Sequence, residues 1–166
     1  DELKNGDWVS VTGSDGRILG SGTYSNQSMI AVRIWEFSAS VTVDGAWIRR
    51  RLQSAWTLRQ RMGFGPATDN TGFRWVHGEA DGLPGLVIDV YDRVAVVQIS
   101  TAGMERMKSI LLTEMTEFPV TTVVERSDLA SRRIEGLADE VGVLHGSAPA
   151  PVVFEEFGLQ LIADVI

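Results

Sequence analysis

Glu79 and Asp81 stand two positions apart in "RWVHGEADGLPGLVIDVY", residues 74–91, with His77 just upstream. Two carboxylates and an imidazole are the raw material of general acid–base chemistry, in which one group holds a proton while another takes one. On that reading the chain is a carboxylate-dependent hydrolase. The same residues also read as architecture. Asp81-Gly82 and Pro84-Gly85 are successive turn signals, and Pro followed by Gly suits the central positions of a type II turn. Turn chemistry favours this second reading.

Other catalytic constellations fare worse. The two histidines, His77 and His145, lie far apart and form no HExxH pair. Each reads as a strand-end or core residue rather than a metal ligand. Cysteine is absent, which removes disulfides, thiolate metal sites and cysteine nucleophiles. There is no G-x-S-x-G elbow, no G-x-G-x-x-G after a strand and no Walker A pattern. No nucleotide-cofactor site and no metal site are expected within these residues.

A second chemical signal is charge. The formal net charge of −7 argues against a nucleic-acid binder, but its distribution is uneven. Residues 44–74 carry six Arg against Asp44 and Asp69, whereas residues 75–166 sum to −9. Arginine neutralises phosphates and stacks on bases. Trp8, Tyr24, Trp35 and Trp47 flank this segment and offer stacking surfaces. The competing reading is a solvated helix face over a tryptophan core.

The elements that carry these residues can be read from periodicity. "GDWVSVTGSDGRILGSGTYS" alternates around an Asp15-Gly16 hairpin turn, and Met29–Phe37 gives a further strand. Residues 44–62 change to helical period with Asp44 as N-cap. Ile48, Leu52, Ala55, Trp56, Leu58 and Met62 share one arc; Arg49, Arg50 and Arg61 lie opposite, and Arg59 falls inside the apolar arc. An unpaired guanidinium there is costly, so Arg59 is expected to pair with Glu79 or Asp81. "GFGPATDNTG", residues 63–72, is a linker by composition. Strands are predicted at 73–77, 86–91 and 94–100, a helix through Met104–Phe118, a buried strand at 121–125 and a short helix, capped by Ser127 or Asp128, through Ile134. Three closing strands follow, the last two joined near Gly158.

Several of these stretches together resemble a known family. "GDWVSVTGSDGRILGSGTYS" with "SMIAVRI" resembles the PUA domain, a small RNA-binding β-barrel. "RLQSAWTLRQRM", "FRWVHGEADGLPGLVIDVY", "VVERSDLASRRIEGL" and "FEEFGLQLIADV" resemble, in that order, the front half of the ribosomal RNA large-subunit methyltransferase I family. The resemblance implies an α+β fold with three parts. Residues 1–43 would be a PUA-like β-barrel incomplete at its start, 44–72 a basic amphipathic helix and linker, and 73–166 a mixed α/β domain. The family's catalytic Rossmann-like domain, with its cysteine, would be absent, so the chain is expected to be an inactive fragment. The parent enzyme would use S-adenosylmethionine to methylate C5 of a cytosine, its cysteine attacking C6 and a base removing the C5 proton. The chain itself would hold no cofactor. Its partner would be large-subunit rRNA, contacted through Arg49, Arg50 and Arg61, with Arg33 of the barrel. The location implied is cytoplasmic, without a membrane; a homodimer is compatible. The rival class is a structural or dimerisation module built on the acidic 75–166 region.

Overall fold

The computed structural model describes residues 2–37, 41–147 and 151–166. An antiparallel three-stranded sheet comes first: β1 (Trp8–Thr12), β2 (Ile18–Tyr24) and β3 (Val32–Glu36). The Asp15-Gly16 turn forms the hairpin. Gly16 takes a φ of +78°, and the Gly13 N–H donates to the Arg17 carbonyl at 2.8 Å. β3 is shorter than the Met29–Phe37 strand that the apolar run predicts. The Ser25 hydroxyl accepts from the Ser28 N–H at 3.2 Å, and the Ser28 hydroxyl from the Ile30 N–H at 3.2 Å. These serine turns hold Met29 and Ile30 out of the ladder, where both are exposed.

Helix α1 (Gly45–Arg61) begins where expected, with the Asp44 carboxylate accepting the Trp47 N–H at 2.8 Å. Asp44→Ala is expected to cost about 1 kcal/mol in denaturant unfolding through loss of this cap. Ile48, Leu52, Ala55 and Trp56 are buried, but Leu58 and Met62, placed on the same arc, are exposed. The apolar stripe outruns the core beneath it by its last turn.

The main sheet has the order β4-β5-β6-β7-β8: β4 (Gly72–His77), β5 (Leu86–Tyr91), β6 (Val94–Ile99), β7 (Thr122–Ser127) and β8 (Glu140–His145). β6 and β7 run parallel and the other neighbours antiparallel. A parallel pair needs a crossover, here α2 (Ala102–Arg106) and α3 (Lys108–Met115). The single helix expected through Met104–Phe118 is divided at Met107, whose N–H closes back on the Met104 carbonyl at 3.0 Å. The short helix α4 (Ala130–Ile134) starts without a side-chain cap. Neither residue expected to cap it is free. The Ser127 hydroxyl accepts the Ile99 N–H and donates to Glu125, and Asp128 faces Arg126. β9 (Val152–Glu156) and β10 (Leu159–Ala163) close a hairpin over Phe157 (φ +50°) and Gly158 (φ +79°), both left-handed as in a type I′ turn.

One apolar core runs from Trp35 through Trp47, Ile48 and Leu52 of α1 to Trp75, Ile88 and Met104. The Trp75 indole N–H, fully buried, donates to the Leu52 carbonyl at 3.1 Å. On the sheet's other face Val94, Val96 and Val124 pack with Val152 and Val165. The segment 63–72, a linker by composition, is tied to this hairpin. The Thr71 N–H donates to the Glu155 carbonyl at 2.8 Å, and Asn70 accepts the Phe157 N–H at 2.7 Å.

Candidate nucleic-acid interface

β4 delivers the chain into a 3-10 turn, Gly78–Asp81, which ends on Gly82 in the left-handed region (φ +70°). This turn aims Asp81 back at α1. Arg59 Nη1 donates to Asp81 Oδ1 at 3.0 Å and Nη2 to Oδ2 at 2.7 Å, while Arg59 Nε donates to the Arg74 carbonyl at 2.9 Å. The His77 N–H also donates to Asp81 Oδ2, at 2.7 Å. Only 14% of the Arg59 side chain and 7% of Asp81 remain exposed. Glu79 does not join them. It is 63% exposed and faces Arg33 at 3.6 Å. The acid–base reading loses its geometry here, because both Asp81 oxygens are filled by fixed donors and Glu79 points elsewhere.

The second half of the motif is a turn of the expected type. The Leu86 N–H donates to the Leu83 carbonyl at 3.1 Å, and Gly85 takes φ +79°, the third-position geometry of a type II turn. A Cβ on Gly85 would fall inside the Thr101 side chain, so two reasons demand glycine there. His77 Nδ1 lies 3.2 Å from Arg74 Nη1. A guanidinium only donates, so Nδ1 is the acceptor in this contact. Arg74 also grips Asp89 at 2.8 and 3.0 Å, and these bonds hold its pKa above the ordinary value.

The four arginines proposed for RNA differ in how free they are. Arg33 is turned inward: its Nη2 donates to the buried Glu135 at 3.3 Å and only 21% of its side chain is exposed. Its β-strand faces the end of α4, where the Glu135 carboxylate lies, so Arg33 is the least free of the four. Arg49 is half exposed but carries Glu114 at 2.5 Å, a bond that raises its pKa, with Glu117 at 3.9 Å. Arg50 and Arg61 are exposed and have no acidic partner among the described residues. Arg51 stacks over Trp47 at 4.8 Å and pairs with Glu36 at 2.9 Å. Of the aromatics, Trp35 and Trp47 are core, while Trp8 is 42% exposed and packs edge-on against Trp35.

Sequence reasoning missed a charge network under β7. Arg132, 1% exposed, reaches Glu105 at 2.6 Å, Glu140 at 3.2 Å and the Ile99 carbonyl at 3.0 Å. Lys108 contacts Glu125 at 2.5 Å, and Glu140 as well. A signal existed: Glu125 and Ser127 alternate with Val124 and Arg126, so a polar pair shares the core face of the strand and needs a cation. The exposed Leu58 and Met62 also line, with Phe64, Phe73 and Ala80, a groove of about 540 Å³ beside the Arg59–Asp81 pair. Among the described residues no group of His, Asp and Glu could hold a metal ion, and no helix is long and apolar enough to cross a membrane.

Comparison with known proteins adds identity to this geometry. A family model described as a PUA-like domain matches residues 1–37. Ribosomal RNA large subunit methyltransferase I of Alteromonas mediterranea is 43% identical over 161 residues, 96% of this chain and 40% of that protein. The protein of the same name from Shewanella denitrificans is 40% identical over 97% of this chain and 41% of its own length. The chain thus spans about two-fifths of the curated relatives it matches. A crystal structure described as a candidate methyltransferase complexed with SAH superimposes with a TM-score of 0.79 at 14% identity, over 98% of this chain and 40% of that one. A candidate SAM-dependent methyltransferase from Streptococcus mutans gives 0.78 at 14% identity, over 100% and 43%. At that identity the two solved structures show the fold alone, an α+β arrangement of sheets shared with methyltransferases. The curated relatives carry more: across nearly all of its length, this chain resembles the ribosomal RNA large subunit methyltransferase I family, as its GEADGLPGL and VERSD motifs imply.

Proposed function

We propose that this chain is the RNA-recognition portion of an S-adenosylmethionine-dependent rRNA methyltransferase acting at cytosine C5. Methyl transfer and cofactor binding would belong to the part of the relatives that this chain does not match, and the enzyme would work in the cytoplasm. One observation carries the reading: identity of 43% over 96% of the chain to a named rRNA methyltransferase. The PUA-like match at residues 1–37 supports it. Contact with RNA would run through phosphates, because a free guanidinium on an exposed helix positions a backbone without reading sequence. Arg50 and Arg61 are the freest of the predicted set, and Arg49 contributes once Glu114 releases it.

The test is a titration of a large-subunit rRNA fragment at several salt concentrations. Binding should be modest, since the acidic remainder repels RNA, and should weaken steeply with salt. Arg50→Ala with Arg61→Ala should lower affinity and flatten the log–log salt slope by about 0.7–0.9 for each phosphate that is no longer neutralised. Adding Arg49→Ala should have a smaller further effect, because Glu114 already neutralises that charge. Unchanged affinity in the triple variant would make α1 a solvated face only.

A second reading, an association module, is favoured by the exposed apolar side chains of the β9–β10 hairpin. Val153, Phe157, Leu159 and Ile162 are each more than half exposed there, at 54%, 75%, 63% and 72%. Apolar self-association would persist at high salt, where RNA binding fades.

A further inference from the structure

The apolar stripe of α1 continues past the core as Leu58 and Met62, which stay 48% and 62% exposed. With Phe64 and Phe73 they wall the open groove of about 540 Å³ beside the Arg59–Asp81 pair, a volume in the range of small-molecule sites. The exposed Phe157 packs edge-on against Phe64 at 6.2 Å and extends this apolar surface. A contiguous apolar patch rimmed by polar groups marks an interaction site. The cations in the lining are already paired, Arg59 with Asp81 and Arg74 with Asp89. Two polar groups on the strand side are not filled. The Glu156 carboxylate makes no hydrogen bond or ion pair with a described residue. His77 accepts from Arg74 at Nδ1, which leaves Nε2 as its N–H donor.

On the helix side, Leu58 also lines a shallower cavity that contains Arg61. Arg61 follows Leu58 by three positions and precedes Met62 by one, so it stands at the rim of the groove. Arg50 lies eleven positions earlier, close to three full turns, and so shares that side of α1 about 16 Å up its axis. Both are exposed and without an acidic partner among the described residues. An apolar slot at the end of a row of free cations matches a nucleotide strand, with phosphates along the helix and a flat base in the slot. An apolar protein segment would use the walls and leave the cations idle. We propose that this groove seats one unpaired nucleobase of the RNA whose phosphates Arg50 and Arg61 hold. Glu156 keeps phosphate away from the strand side and so orients the nucleotide. Every base has a π-face, and every base edge carries both a donor and an acceptor, so the seat does not choose among bases. A base inside a duplex is stacked and paired, so the seat requires a single strand or a loop. The inference rests on the RNA-recognition reading and deepens it: phosphate contacts would hold the strand, and the groove would select for unpaired RNA.

The test uses the whole chain, a short single-stranded RNA of mixed sequence and the same strand with abasic riboses throughout, titrated by fluorescence anisotropy. The normal strand should bind about tenfold tighter than the abasic one, the contribution of one held base. Leu58→Ala with Met62→Ala should bring the normal strand down to the abasic level and leave the abasic strand unaffected. The salt slope should not change, because neither residue meets a phosphate. Arg61→Ala should instead weaken both strands and flatten the slope of each. Both groove residues are exposed, so the double variant should fold; the comparison of normal and abasic strands on the wild type decides the matter even if it does not. Equal binding of the two strands would overturn the seat while leaving the RNA reading intact. So would a double variant that keeps the difference, or one that weakens both strands alike. Failure of the chain to bind any RNA, rRNA included, would overturn both together.

Discussion

Asp81→Ala should lower the stability of the chain by about 3 kcal/mol, a fall of roughly 10 °C in Tm for a domain of this size. The cost has three sources. The carboxylate receives both arms of Arg59, at 3.0 and 2.7 Å, and the His77 N–H at 2.7 Å. Removing it leaves a guanidinium that is 14% exposed without its counter-charge. It also frees the 3-10 turn that joins β4 to β5, since that turn is held to the strand end through Asp81. Arg59→Lys is the more informative change. A lysine keeps the charge but cannot span two carboxylate oxygens and the Arg74 carbonyl with one ammonium. A loss of about 1–2 kcal/mol is expected, where a surface arginine would tolerate the change within about 0.5 kcal/mol. Chemical denaturation of both single variants and the double variant gives the coupling directly. If Arg59→Lys unfolds at the wild-type midpoint, the fork is not what joins α1 to the GEADGLPGL turn.

That pair shows where the sequence was legible. Arg59 stands out because its angle puts a cation on an apolar arc, and a buried cation must find an anion. Its partner had to come from a nearby polar turn, and the two candidates lay two residues apart. What the sequence could not decide was Asp81 over Glu79, because a 3-10 turn changes which side chain faces the helix. The Pro84-Gly85 turn and the Asp44 cap were readable for a similar reason: both depend on local backbone chemistry alone. Features set by tertiary context were not readable. Leu58 and Met62 fit the helical stripe, but whether the core extends beneath them depends on strands far along the chain. Ser127 is an ordinary helix cap by composition, yet the Ile99 N–H and Glu125 claim it first. Arg33 and Arg49 look like free cations until Glu135 and Glu114, respectively 102 and 65 positions away, fold against them.

Arg132→Ala should be more damaging than the loss of Asp81, at about 4 kcal/mol, because it strips the cation from the most enclosed charge cluster among the described residues. Arg132 is 1% exposed and touches Glu105 at 2.6 Å, Glu140 at 3.2 Å and the carbonyls of Ile99 and Ala138 at 3.0 and 2.5 Å. Without it Glu105 and Glu140 keep only Lys108, which already serves Glu125 at 2.5 Å. Arg132→Met restores volume but not charge, so it should recover little alone and more when joined with Glu105→Gln. The cluster also gives stability a dependence on pH. The bond to Lys108 holds the Glu140 carboxyl below its ordinary 4.5. A depressed folded pKa means stability that is present above the unfolded value and lost as pH falls through the folded one. Burial pulls the Lys108 pKa down, but its bonds to Glu125 and Glu140 outweigh this and raise it above 10.5. That contribution is present below the unfolded value and is lost only as pH rises through the higher folded one. On acidification the wild type should therefore weaken below about pH 4.5. Lys108→Met should start less stable at neutral pH and lose less on the way down, since Glu140 no longer has the bond that depressed it. Urea unfolding followed across the acid range measures both. Parallel curves for wild type and Lys108→Met would show that Glu140 gains nothing from the lysine, and that the cluster is held by Arg132 alone.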